Sequence, residues 1–144
     1  MFRQSALMPK VAMTEFLLRR QLGRAFAAAG YDATVDEWAM ICLLNEVGPC
    51  SLSALARANA RDITTVSRMT DRLVAKGLVK RLRDPANRRS VQIALGSAGQ
   101  RRFEALGVIA GAVMVQALDN LDEDDLSTTL RALAQIEQNL RDLA

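Results

Sequence analysis

Apolar positions recur at helical spacing over most of this chain, and one short stretch alternates instead. Ile63, Val66, Met69, Leu73 and Val74 fall on one side of a helical wheel and predict a helix with a single buried face. Asp62 stands just ahead of them, where an N-cap belongs, because its carboxylate accepts from the free N–H groups of a first turn. Gly77 closes the helix as a residue free to turn left-handed. Residues 78–83 and 90–95 then read as two strands, with Val91, Ile93 and Leu95 alternating toward the core. Between them, Asp84-Pro85-Ala86-Asn87-Arg88-Arg89 is rich in turn formers and basic residues. Upstream, Ser51 caps a short helix whose Leu52, Leu55 and Ala56 face inward. Residues 51–95 therefore predict a short helix, a tight turn, a second helix and a hairpin, which is a helix-turn-helix with a wing.

The flanks are helical. After a poorly ordered start over 1–8, Pro9 opens a helix to about residue 29, with Val11, Phe16, Leu17, Leu22 and Phe26 as apolar surface and Arg19, Arg20 and Arg24 pointing elsewhere. Gly30 terminates it. Thr34 and Glu37 form a capping box for a helix to about residue 46. That helix is apolar nearly all round, so it is expected to be buried, with Trp38 and Cys42 in the core. Gly48-Pro49 makes a turn. Beyond the hairpin, Ser97 caps a long helix to about residue 120, with Phe103, Leu106, Ala110, Val113 and Ala117 as a packing seam. Asp122 caps the last helix, with Glu123, Asp124 and Asp125 in its first turn and a stripe of Leu126, Leu130, Leu133, Ile136, Leu140 and Leu143. These terminal stripes exceed what a small winged lobe covers alone. A homodimer is expected to bury them, with its two-fold axis relating two copies of the second motif helix.

Length and composition narrow the classes. The 144 residues suit one domain, and with 50% hydrophobic residues a packed core is expected. There is no histidine and there are two cysteines, so His-dependent catalysis and a Cys-rich zinc site are excluded. No Gly-rich phosphate loop or nucleophile elbow occurs. The chain is expected not to be an enzyme and to hold no cofactor and no metal. With no signal peptide and no apolar span of membrane length, a cytoplasmic protein without a membrane partner is expected. Cys50 lies at a helix N-terminus, where the dipole lowers a thiol pKa, yet the plainer reading of a small surface or half-buried residue is preferred to a redox switch.

The net charge of +3 is unevenly placed: 57–102 is strongly basic with only Asp62, Asp71 and Asp84 opposing it, and 119–125 is acidic. The face of the second motif helix opposite its apolar side carries Thr64, Arg68 and Arg72, with Arg61 just ahead and Thr65, Ser67 and Asp71 flanking. Such a face alone more often meets only water. The wing changes that balance, because Lys80, Arg81, Arg83, Arg88 and Arg89 crowd beside it. Arg reads guanine in a major groove, and an Arg on a hairpin enters a minor groove or holds phosphate. Ser51, at a helix N-terminus, can meet a phosphate. Ser51, Arg61, Thr64, Thr65, Ser67, Arg68, Arg72, Asn87, Arg88 and Arg89 are therefore the candidate DNA-binding residues, and double-stranded DNA the expected partner.

The chain resembles the MarR family of bacterial winged-helix transcription regulators. The resemblance is carried by Leu55-Ala56, Thr65-Val66-Ser67-Arg68, Asp71-Arg72-Leu73, Gly77-Leu78-Val79, Arg83-Asp84-Pro85 and Arg88-Arg89-Ser90, without a gap. It implies a mostly α fold: a winged helix-turn-helix lobe over 34–95 with a two-stranded β wing, and dimerisation helices over 9–30 and 97–144, in a single domain over 1–144. It further implies a homodimer, more often a repressor, on a pseudo-palindromic operator, often released by a small-molecule effector. It aligns Arg89 with the family's wing Arg. It also places an aromatic at Trp38, where an effector contact is a weaker reading than a core role. The family's peroxide sensors carry their cysteine in the first helix, and this chain has none there. Two places depart from the family. Asn59-Ala60-Arg61 replaces apolar-Gly-apolar in the turn, with Asn59 on a side that should be buried, and Asn87 replaces an acidic wing residue, so it accepts a hydrogen bond without charge. The alternative reading is a winged-helix protein–protein interaction module without specific DNA binding.

Overall fold

A computed structural model of the protein describes residues 2–143, without the side chains of Phe2 and Arg88. The elements run α1 (Phe2–Ser5), α2 (Leu7–Ala28), α3 (Val35–Val47), β1 (Cys50–Ser51), α4 (Leu52–Ala58), α5 (Ile63–Ala75), β2 (Val79–Asp84), β3 (Asn87–Leu95), α6 (Ser97–Ala117) and α7 (Glu123–Arg141). They fall into two compact units, Met1–Val113 and Met114–Ala144. Part of the start expected to be poorly ordered is helical. Pro9 has no N–H to offer the Ser5 carbonyl and its ring crowds that oxygen, so the helix breaks at Ala6 and restarts at Leu7.

In the first unit, α2, α4 and α5 end in the same way. The residue after the C-cap turns left-handed, and two N–H groups bond back to carbonyls of the last turn. Gly30 (φ 85°) does this for α2 and Gly77 (φ 73°) for α5. For α4 the place is taken by Ala60, at φ 52°. Asn59 is the C-cap of α4, and its Nδ2 is buried without a hydrogen-bond partner.

The core lies under the winged lobe. Met40, Ile41, Leu44, Leu55, Val66, Met69, Leu73, Leu78, Val79 and Ile93 are buried together. Phe26, Leu106 and Ala110 form a second cluster, with Trp38 packed on it. Trp38 meets Phe26 edge-on at 6.0 Å and stacks on Phe103 at 5.8 Å. Helix α3 is less enclosed than its composition suggests: Ala39 and Val47 are exposed, and Trp38 and Cys42 are half-buried. Gly99 lets α6 cross the turn after α5, since a Cβ there would lie 2.0 Å from the Leu78 carbonyl oxygen. Gly96, not Ser97, holds the cap place of α6, as its carbonyl accepts from Gln100 N–H at 2.9 Å.

The sheet has three strands, not the two expected, in the order β1-β3-β2, all antiparallel. Strand β1 is only Cys50–Ser51, paired with Ile93 and Gln92, too short to leave a periodicity in the sequence. The hairpin is also tighter than predicted. Its strands run on to Asp84 and Asn87, leaving Pro85 and Ala86 as the turn. Arg83 pairs with Val91 and Asp84 with Asn87, so Arg88, Arg89 and Ser90 bulge from β3. Val91, expected to face the core, is 44% exposed because the wing projects beyond it, while Ile93 is buried.

In the second unit, Asp122 caps α7 as predicted: its Oδ1 accepts from Asp125 N–H at 2.7 Å, and Asp125 Oδ2 accepts from Asp122 N–H at 3.3 Å. The end of α6 comes at Ala117, earlier than expected, and Asn120 takes a left-handed φ of 64° before α7. No described residue of α7 is buried, and Leu130, Leu140 and Leu143 stand exposed.

Candidate nucleic-acid interface

Helix α5 is fixed at its start by Asp62. Its Oδ1 accepts from Thr65 N–H at 2.8 Å and its Oδ2 from Thr65 Oγ1 at 2.7 Å. The bond from the Thr65 backbone, and then that from the Thr65 hydroxyl, hold the carboxyl below its ordinary pKa. Val66, Met69 and Leu73 turn inward as predicted, but Ile63 is half exposed. Thr70 is buried in the row instead. Its hydroxyl donates to the Val66 carbonyl at 2.8 Å, so the helix itself satisfies a polar group that the hydrophobic pattern would place outside.

The outer face presents Thr64, Arg68 and Arg72, all exposed. Among the described residues, neither guanidinium has a hydrogen bond or ion pair, so each keeps its full set of donors. Ser67 is half-buried at the edge of this face. Three other candidates are engaged within the protein. Thr65 spends its hydroxyl proton on Asp62. Ser51 Oγ accepts from Ala54 N–H at 3.1 Å, which leaves its proton free to donate. Arg61 Nη2 donates to Asp36 Oδ1 at 2.9 Å.

On the wing, Asn87 Oδ1 accepts from the backbone N–H of Arg89 at 3.1 Å, and Asp84 Oδ1 from that of Ala86 at 2.9 Å. Asn87 thus shapes the bulge rather than gripping the Arg89 guanidinium, which has no ion pair among the described residues. The Arg88 side chain lies outside the described residues. Arg81 of β2 pairs with Asp71 of α5, tying wing to helix.

Sequence reasoning missed the ion pairs that hold this lobe. Glu37 does not complete the expected capping box. It is 3% exposed, and Lys76 Nζ, at the C-cap of α5, donates to its two oxygens at 2.9 and 3.2 Å. Lys76 also donates to the Asp32 carbonyl at 2.9 Å. Arg102 donates to the same carbonyl at 3.4 Å and lies over the Tyr31 ring. These partners stand 39, 44 and 70 residues apart, so no local pattern announces them.

Cys50 sits in β1 with its thiol pKa raised by burial, opposite to the dipole-lowered value considered from sequence. Burial pushes Cys42 up to about 11. No group of residues suited to a metal ion occurs among the described residues, and none of their helices is long and apolar enough to cross a membrane.

A profile of the MarR family matches residues 34–91. The chain is 30% identical over 98 residues to the multiple antibiotic resistance protein MarR of Escherichia coli, covering 67% of this chain and 68% of that protein. It is 27% identical over 103 residues to the HTH-type transcriptional repressor NicR of Pseudomonas putida, covering 72% of this chain and 65% of NicR. Its fold superposes on a cysteine-to-serine variant of E. coli MarR complexed with operator DNA, with a TM-score of 0.81 and 26% identity over 91% of this chain and 93% of that one.

Proposed function

This chain belongs to the MarR family of transcription regulators, and we propose that within it the protein is a homodimeric repressor of a pseudo-palindromic operator. One observation carries the reading: α5 buries Val66, Met69, Thr70 and Leu73 while holding Thr64, Arg68 and Arg72 in solvent, beside a basic hairpin. In a major groove, Arg68 and Arg72 reach base edges or phosphates, and Thr64 offers a hydroxyl and a methyl. Ser67 and Thr65 flank them, Ser51 and Arg61 meet the backbone, and Asn87, Arg88 and Arg89 carry the wing to the adjacent minor groove. E. coli MarR in complex with operator DNA and NicR as a repressor support this assignment. Dimerisation through α2, α6 and α7 covers exposed Val11, Phe16, Leu17, Leu130 and Leu140. A small-molecule effector releases the operator. The protein is cytoplasmic and not an enzyme.

The test is selection of duplexes from a random pool, then titration of the selected and a scrambled duplex over a salt series. Affinity for the selected site should exceed that for the scrambled one by about a thousandfold or more and fall steeply with salt. Equal, salt-insensitive binding to both would favour the protein-association module. Sedimentation showing a folded monomer at micromolar concentration would remove the two-half-site reading.

A further inference from the structure

Asp36, in the first turn of α3, takes up two guanidinium groups through one oxygen. Its Oδ1 accepts from Arg19 Nη1 at 2.8 Å and from Arg61 Nη2 at 2.9 Å. Arg19 belongs to α2 and is also held by Glu15, whose Oε1 lies 2.8 Å from Nε and 2.7 Å from Nη2. The bonds to Asp36 and then Glu15 raise the Arg19 pKa further, so this cation never leaves the cluster by titration. Arg61 sits in the turn between α4 and α5, directly before the Asp62 cap. Asp36 therefore joins α2, α3 and the turn that launches α5.

The side chains of Arg19, Asp36 and Arg61 are 39%, 36% and 40% exposed, so each contact adds little to overall stability. What the cluster supplies is position. The geometry points to Asp36 as a positioning residue for α5: through Arg61 and Arg19 it ties the start of that helix to α2. The inference rests on the proposed dimer, in which α2 belongs to the frame shared by both copies. The tie then fixes how far apart the two copies of α5 stand. Duplex DNA makes that distance matter, because half-sites one turn apart lie about 34–36 Å from centre to centre, and each added base pair moves and rotates one against the other. A tied lobe follows such a change poorly, and an untied one follows it more readily. Asp36 acts on half-site spacing and not on base reading.

The test compares wild type, Asp36→Asn and Arg19→Gln on the selected operator, on operators with one base pair added or removed between half-sites, and on an isolated half-site. Both variants should lose about threefold to tenfold of the wild-type preference for the natural spacing, a range set by two exposed ion pairs. The affinity of Arg19→Gln for the isolated half-site should match wild type, since it leaves Arg61 on Asp36, and the double variant should lose no more spacing preference than either single one. Arg19→Gln leaves the Asp36–Arg61 contact in place, so it would have no effect if Arg61 only gripped DNA. Should Asp36→Asn fail to fold by circular dichroism, Arg19→Gln carries the comparison. Wild-type spacing preference in the folded variants overturns the proposal, as does an equal loss on isolated half-site and full operator. The functional reading fails separately, through a wild-type protein that ignores operator sequence in the same titrations.

Discussion

Replacing Ala60 with glycine should stabilise the protein, because the turn of the motif holds an alanine where the chain elsewhere uses glycine. Helices α2, α4 and α5 end in the same hydrogen-bonded turn, which makes two of them internal standards. At Gly30 the two closing bonds are 2.9 and 3.0 Å, and at Gly77 they are 2.9 and 3.0 Å. At Ala60 both are 3.2 Å, Ala60 N–H to Arg57 and Arg61 N–H to Ala56. A left-handed L-residue is strained by roughly 1–2 kcal/mol, since its Cβ crowds the following carbonyl. Glycine relieves that strain but orders a freer unfolded chain, which takes back roughly 0.5–1 kcal/mol. The net gain is about 0.5–1 kcal/mol, or a rise in Tm of about 2–4 °C for a chain of this size. Urea denaturation at fixed protein concentration should show a higher midpoint with an unchanged slope. Gly77→Ala is the reciprocal control. A Cβ there meets nothing within 4 Å, so its loss of about 1 kcal/mol would come from φ alone. If Gly77→Ala is destabilising and Ala60→Gly leaves the midpoint unchanged or lower, the turn at Ala60 is not strained and the reasoning fails.

Arg68→Ala should weaken binding to the selected operator by about 1–3 kcal/mol and relax preference at one base pair per half-site. An equal loss on scrambled DNA would reduce Arg68 to a phosphate contact. Lys76→Met should destabilise the fold by about 3 kcal/mol or more, because it leaves the Glu37 carboxylate buried without its cation, and Glu37→Gln in the same background should restore part of the loss in chemical denaturation. For Asp62 the pH dependence has a definite sign. Its folded pKa is lowered below 3.8, so the unfolded chain binds more protons in that window. The cap's contribution is full above 3.8 and disappears as pH falls through the folded value, so the stability gap between wild type and Asp62→Ala should be flat above about pH 5 and close in stronger acid. A gap that stays constant down to pH 2 would sink the capping account.

The parts of this protein legible in its sequence are those governed by neighbours along the chain. The period of Val66, Met69 and Leu73 places α5, the cap residues Thr34, Ser51, Asp62 and Asp122 mark helix starts, and Gly30 and Gly77 mark ends. The same local logic misplaces what tertiary context decides. Thr70 enters the core because the Val66 carbonyl, one turn back, takes its proton. Cys50 becomes a strand residue only because β3 has an open edge beside it. Glu37 looks like a capping residue until Lys76 arrives from 39 residues away.

Charge suffers most from this locality. Counted along the chain, every arginine from Arg61 to Arg89 reads as available to a polyanion. In the fold, Arg81 is paired with Asp71 and Arg61 with Asp36, whereas Arg68, Arg72 and the Arg89 guanidinium have no ion pair among the described residues. A cation already paired with a carboxylate brings little new counterion release when a phosphate replaces its partner, because the displaced carboxylate collects counterions of its own. The salt dependence of operator binding should therefore follow the unpaired set. Per half-site, Arg89→Ala should lower the slope of log affinity against log salt by about 0.9, while Arg81→Ala should leave it nearly unchanged. The comparison is made on one operator, over one salt series. A slope that drops as much for Arg81 as for Arg89 would mean that the Asp71 pair opens on DNA, and that the basic face is set by composition after all rather than by the contacts of the fold.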